Sequence, residues 1–78
     1  MTKSVFTKQY DRFRKQLVDA RKSRGLTQAD VAQRLGRPQS FVSKYERGER
    51  RLDVVEFLEV AKAVGIDPGK VLEKLEQV

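Results

Sequence analysis

Apolar residues fall along this chain in short helical stripes, separated by glycine and proline. Phe6, Tyr10, Phe13, Leu17 and Ala20 follow one another at alternating steps of four and three, with charged residues between them. That is the period of one helix face, and it predicts a first helix over about residues 7–24 with Gly25 as its stop. Gly36, Pro38, Gly48, Gly65, Pro68 and Gly69 divide the remainder into four further segments, each with helical character. The stripe on the first helix is narrow and reads as core.

Three of the later helix starts share one device. Thr27 stands as N-cap with Asp30 three residues on, and Leu26 and Val31 bracket them as a hydrophobic staple. Asp53 and Glu56 repeat the arrangement between Leu52 and Phe57. Asp67 caps a helix whose first residue is Pro68, with Ile66 and Val71 as the staple. Each staple sets the angle at which chain enters helix. With loops of only a few residues, the pattern predicts a compact all-α, five-helix architecture in a single domain over residues 1–78. The last helix is expected over about residues 68–77.

The segment between Gly36 and Gly48 is different. Val42 and Tyr45 are its obvious inward pair, with Phe41 beside Tyr45 at i,i+4, while Gln39, Ser40, Ser43, Lys44 and Arg47 project elsewhere. Such a helix is expected to be anchored by two or three apolar residues and to display amides, hydroxyls and cations outward, as a reading surface does. With the helix before it (residues 28–35) and the tight turn at Gly36, it forms a helix-turn-helix over about residues 27–47.

Composition narrows the chemistry. The chain has no His, Cys or Trp, which removes disulfides, thiolate and imidazole metal sites, and His-based catalysis. There is no Gly-rich phosphate loop and no paired-carboxylate cleft, so the expectation is a non-enzyme without metal or cofactor. No apolar run approaches a membrane span, and the polar start lacks a signal-peptide core. A cytoplasmic, nucleoid-associated protein is expected. The net charge of +6 is unevenly placed: +9 over residues 1–51, where 14 basic residues face 5 acidic ones, and −3 over residues 52–78. A basic part in so small a domain points to a polyanion on one face. RNA is disfavoured, because no interleaved aromatic platform is present.

Three strings carry a family resemblance: residues 25–36 (GLTQADVAQRLG), 43–48 (SKYERG) and 61–66 (AKAVGI). Together they resemble the phage-repressor and Cro-like (XRE-type) helix-turn-helix family, over roughly residues 13–72. The resemblance implies a lambda-repressor-like domain binding double-stranded DNA as a homodimer, with its third helix in the major groove. It implies base reading by Gln39, Ser40 and Lys44, a phosphate contact at Gln28, and a structural ion pair between Arg21 and Glu46. Physical chemistry agrees with these roles. Gln28 lies at a helix N-terminus, where a phosphate docks. Gln39 suits the N6/N7 edge of adenine, and Lys44 the O6/N7 edge of guanine. A carboxylate on a DNA-facing helix repels phosphate, so Glu46 needs a partner such as Arg21. Thr27, Ser43, Arg47, Arg50 and Arg51 complete the expected phosphate set.

Two positions depart from the family pattern. Arg37-Pro38 replaces the usual Ser or Thr cap of the third helix; Pro38 is expected as its first residue, with a possible one-residue shift. Phe41 is large where relatives are small; packing beside Tyr45 is expected, and contact with a thymine methyl is the alternative. Discrimination by three side chains is limited to about 3–9 kcal/mol, so a dimer is expected. Leu72, Leu75 and Val78 are its candidate surface, with core packing of Leu75 beside Val71 as the alternative. A sequence-specific regulator, a repressor, is thus the leading reading. An antitoxin or accessory DNA-binding subunit that also holds a protein partner is the second.

Overall fold

The computed structural model describes residues 7–77 and contains five α-helices. They are α1 (Lys8–Ser23), α2 (Gln28–Leu35), α3 (Gln39–Glu46), α4 (Val54–Val64) and α5 (Pro68–Glu76). Phe6 and Val78 of the sequence reading lie outside the described residues.

Local chemistry accounts for most of the boundaries. The Thr7 hydroxyl accepts from the Tyr10 amide at 3.0 Å and opens α1. Reciprocal capping boxes open α2 (Thr27 with Asp30) and α4 (Asp53 with Glu56), each satisfying donors that a helix start leaves unpaired. Asp67 accepts from the Gly69 amide at 2.8 Å ahead of Pro68, the first residue of α5. Gly36 closes α2 in the left-handed region at φ +69°, which a side chain would strain.

Helix α3 starts one residue later than Pro38. Pro38 is the N-cap, with extended backbone at φ −63° and ψ 152°, and no side chain caps the helix. The reason is the absence of a capping side chain before it. Pro68 enters its helix behind Asp67, whereas Arg37 has no acceptor to offer, so Pro38 keeps the extended conformation that its fixed φ equally permits.

All five helices contribute to one core. Phe13 and Leu17 of α1, Val31 and Ala32 of α2, Phe41, Val42 and Tyr45 of α3, Phe57, Val60, Ala61, Ala63 and Val64 of α4, and Val71 of α5 are buried together. Helix α2 packs most extensively on α3, while α1 lies across α3, α4 and α5. The Phe13 and Phe57 rings meet edge to face at 5.1 Å, joining α1 to α4. Expected staple residues Leu26, Leu52 and Ile66 are half-buried against this core.

The few apolar anchors expected of α3 are in place, and a carboxylate joins them. Phe41, Val42, Tyr45 and Glu46, half of its eight residues, are buried. Phe41 packs edge to face on Tyr45 at 5.6 Å, and the guanidiniums of Arg37 and Arg50 lie 4.4 and 4.8 Å from the centre of its ring. Its ring is therefore occupied by packing and cation–π contacts on the flank of α3, which leaves the thymine-methyl alternative without an exposed ring.

Candidate nucleic-acid interface

With its inner face buried, α3 shows solvent a second face made of Gln39, Ser40, Ser43, Lys44 and the following Arg47. The steps of three and four between them keep these residues on one side of the helix. Gln39, Ser40, Lys44 and Arg47 are exposed and Ser43 is half-buried. The structure thus brings together all three expected base-reading residues and two of the phosphate set.

A buried ion pair holds the far end of this helix. Arg21 reaches from α1 to Glu46 through two parallel bonds, Nε to Oε2 at 2.7 Å and Nη2 to Oε1 at 3.0 Å. Its remaining Nη1 donates to the Leu26 carbonyl at 2.9 Å. The Glu46 hydrogen bond raises the Arg21 pKa above the ordinary arginine value despite burial. Burial and the neighbouring Glu46 likewise push the Tyr45 phenol upward. Arg14 adds a hydrogen bond from Nη1 to the Glu46 carbonyl, and its side chain passes beneath Gly48. A Cβ at Gly48 would stand 3.2 Å from Arg14 Nε, a side chain that can shift, and it is the φ of +81° that makes this turn favour glycine.

The expected phosphate residues are less uniform than their charges suggest. Gln28 is half-buried; its Nε2 donates to Glu46 Oε1 at 2.9 Å and its carbonyl faces Gln39 Nε2 at 3.4 Å. The Thr27 hydroxyl is used as the α2 cap. Arg47 forks onto Glu49 at 2.9 and 3.2 Å and donates to the Ser43 hydroxyl at 2.6 Å. This exchange raises the Arg47 pKa and lowers that of Glu49. Arg50 is bound to Glu56 by two bonds, at 3.0 and 2.7 Å, while its face rests on Phe41. Those bonds, with the Asp53 amide, bring the Glu56 carboxyl down to about 2. Arg51 lies over the Tyr10 ring at 4.1 Å.

Several participants lie beyond the sequence reading. Glu56 both boxes the start of α4 and holds Arg50, and Arg37 approaches it at 3.9 Å on the same flank of α3. The capping role is legible from spacing; the ion pair depends on how the loop before α4 folds back.

The candidate dimer surface also needs revision. Leu72 is exposed, but Leu75 packs against the core and its carbonyl accepts from Gln9 Nε2. Packing of the inner face of α5 against α1 leaves Leu75 half-buried, so only part of it is open to a partner. Val54, Val55 and Leu58 on α4 are exposed instead, with Val54 reaching 73%. Their spacing, flanking the inward set of Phe57, Val60, Ala61 and Val64, was present in the sequence as a widening of the apolar face. No described helix is long and apolar enough to cross a membrane, and the described residues hold no cluster of His, Cys, Asp or Glu able to bind a metal ion.

Two short helices joined at a left-handed glycine, the second with one face buried and the other polar, define a helix-turn-helix protein. The helix-turn-helix family model matches residues 17–71, and the chain belongs to that family, in its XRE-type branch of DNA-binding transcription regulators. A solved XRE-family-like protein from Pseudomonas syringae pv. tomato is 51% identical, with TM-score 0.86 over 88% of this chain and 84% of that one. The restriction-modification controller protein C.AhdI from Aeromonas hydrophila is 32% identical, with TM-score 0.72 over 80% of this chain and 94% of its own. An uncharacterised helix-turn-helix-type transcriptional regulator of Sinorhizobium fredii is 41% identical over 46 residues, or 59% of this chain. That alignment spans 60% of the Sinorhizobium protein's length.

Proposed function

We propose that this protein is a sequence-specific double-stranded DNA-binding regulator, a repressor, that acts as a homodimer and reads the major groove with α3. The observation that carries the reading is the outward face of α3. It is rich in side chains that donate to base edges, and its back is fixed in the core by four buried residues. Gln39, Ser40 and Lys44 are the base-reading residues, while Gln28, Ser43 and Arg47 meet phosphate beside them. Arg51 belongs with the phosphate set. The Arg50 guanidinium, already shared between Glu56 and Phe41, serves chiefly to hold the loop behind α3. Its site of action would be the cytoplasm, at the nucleoid.

The exposed apolar residues Val54, Val55, Leu58 and Leu72 support self-association through α4 and α5, away from the reading face of α3. Similarity to a restriction-modification controller protein, matched over 94% of its length, supports a regulatory role for a domain of this size.

Selection of bound sequences from a random duplex pool tests the proposal. A near-palindromic site should emerge, and Lys44→Ala should weaken binding to it by about 5- to 150-fold while leaving affinity for random duplex nearly unchanged. Recovery of no preferred sequence would refute sequence-specific reading. Equal losses on both duplexes would remove Lys44 from the base-reading set.

A further inference from the structure

We propose that Arg37, carried on the ring of Phe41, contacts a backbone phosphate of the strand that runs along the side of α3 away from Gln28; the inference rests on the reading of α3 as the groove-facing helix. The two positions at which this chain departs from its family pattern, Arg37 and Phe41, touch one another. The Arg37 guanidinium lies 4.4 Å from the centre of the Phe41 ring. Phe41 stands beside Lys44 at i,i+3 and beside Tyr45 at i,i+4, so it marks one border between the reading face of α3 and the core. Gln28 lies at the other border, bonded to Glu46 and facing Gln39. A helix about 10–12 Å across fills a major groove about 12 Å wide, which leaves one sugar-phosphate strand along each flank. With Gln28 on one flank, the other strand passes the side that holds Phe41 and Arg37.

Three features make Arg37 the cation of that flank. Its backbone is fixed, because its amide donates to the Ala32 carbonyl at 3.0 Å where α2 ends. Its side chain is 38% exposed and approaches Glu56 at 3.9 Å, too far for a hydrogen bond, and it donates none among the described residues. The Glu56 carboxylate is instead taken by two bonds from Arg50, whose guanidinium lies 4.8 Å from the centre of the same ring. Arg50 and Glu56 offset each other, so the net charge of the cluster is that of Arg37. A guanidinium stacked on an aromatic face is held in one orientation while its N–H edge stays open, and that edge is what a phosphate oxygen accepts from. Phe41 is thus a positioning residue, and Arg37 makes the contact.

The test measures binding of the full chain to a duplex selected from a random pool and to random duplex, from about 50 to 200 mM salt. Arg37→Ala should weaken both by the same factor and lower the slope of log affinity against log salt by about one. Its deficit should therefore shrink by about 3.5-fold across that range. Arg37→Lys, which keeps the charge without the flat stack, should retain the slope and lose about two- to fivefold in affinity. Phe41→Leu keeps an apolar side chain against Tyr45; it should lose a similar factor alone and nothing further when added to Arg37→Ala. An unchanged slope in Arg37→Ala, or a loss confined to the selected duplex, would overturn the proposal. So would a Phe41→Leu loss that is the same with and without Arg37. Lys44→Ala separates the two readings: if it relaxes site preference while Arg37→Ala keeps the full slope, only the Arg37 contact fails. If Lys44→Ala and Gln39→Ala both leave site preference intact, α3 fails as the reader, and the placement of Arg37 with it.

Discussion

Removing Arg21 exposes how far the fold depends on one buried ion pair. In Arg21→Met the Glu46 carboxylate keeps the Gln28 amide as a neutral donor but loses both guanidinium bonds. The Arg21 and Glu46 side chains are only 10% and 6% exposed, so water cannot replace what is lost. Breaking such a pair from one side costs about 3 kcal/mol, against a total of roughly 5–15 kcal/mol for a domain. At 4–8 °C per kcal/mol for a domain of this size, the midpoint of thermal unfolding should fall by about 12–24 °C. Urea and thermal unfolding followed by circular dichroism measure the loss. DNA binding should survive at low temperature, where the variant is still folded. The companion Arg21→Met/Glu46→Leu variant should recover at least half of the stability, because it removes the stranded charge along with its partner. A loss below about 1 kcal/mol in the single variant, or a double variant as unstable as the sum of both singles, would refute this account. Loss of binding at full stability would place Arg21 on the DNA instead.

Acid should weaken the fold partly through Glu56. Its carboxyl is held down at about 2, well below the ordinary carboxylate value, so its contribution is complete above about pH 5 and is lost as the pH falls toward 2. Glu56→Gln should therefore lose less stability across that window than wild type; parallel acid curves would mean that the bonds to Arg50 do not persist in solution. Leu58→Glu should shift sedimentation to a monomer and weaken binding to a palindromic site without lowering the thermal midpoint. A wild-type chain that sediments as a monomer and occupies single half-sites would remove α4 as a dimer surface. Arg47→Ala should reduce the slope of log affinity against log salt by about one, and an unchanged slope would exclude Arg47 from the phosphate contacts.

Local features were the legible ones. Thr27, Asp53 and Asp67 cap helices through groups two or three residues away, so spacing alone announces them, and the staples follow with them. The outward set on α3 was legible for the same reason, since helical period separates Gln39, Ser40 and Lys44 from Val42 and Tyr45. Pro38 was harder because its fixed φ suits both the first turn and the residue before it, and the missing cap at Arg37 decides between them. The packing of Phe41 on Tyr45 was legible at i,i+4, but the cations over its ring and the partner of Arg50 were beyond periodicity. Whether a cation meets phosphate or an internal carboxylate depends on the return of the loop that carries Arg50 to Glu56, six residues on. Leu75 stood between core and surface for a related reason: helical register groups residues on a face, but only packing shows how far α1 covers that one.

Three glutamates make sense as holders of arginines from the basic part of the chain, ranked by burial. Glu46, Glu56 and Glu49 each fork onto one guanidinium, those of Arg21, Arg50 and Arg47. The Arg21–Glu46 pair is shut off from water, so a phosphate cannot compete for it without unpairing a buried carboxylate. Arg50 and Glu56 are 39% and 14% exposed: the cation is half available, but the carboxylate it would leave behind is mostly covered. Arg47 and Glu49 are 56% and 54% exposed, and an ion pair in that setting contributes about 0–1 kcal/mol. A DNA phosphate can therefore displace Glu49 at little cost, into water that solvates it. The same chemical pair thus fixes the helix at one end of the series and leaves an exchangeable cation at the other. Net charge alone, which counts all three arginines alike, conceals that gradient.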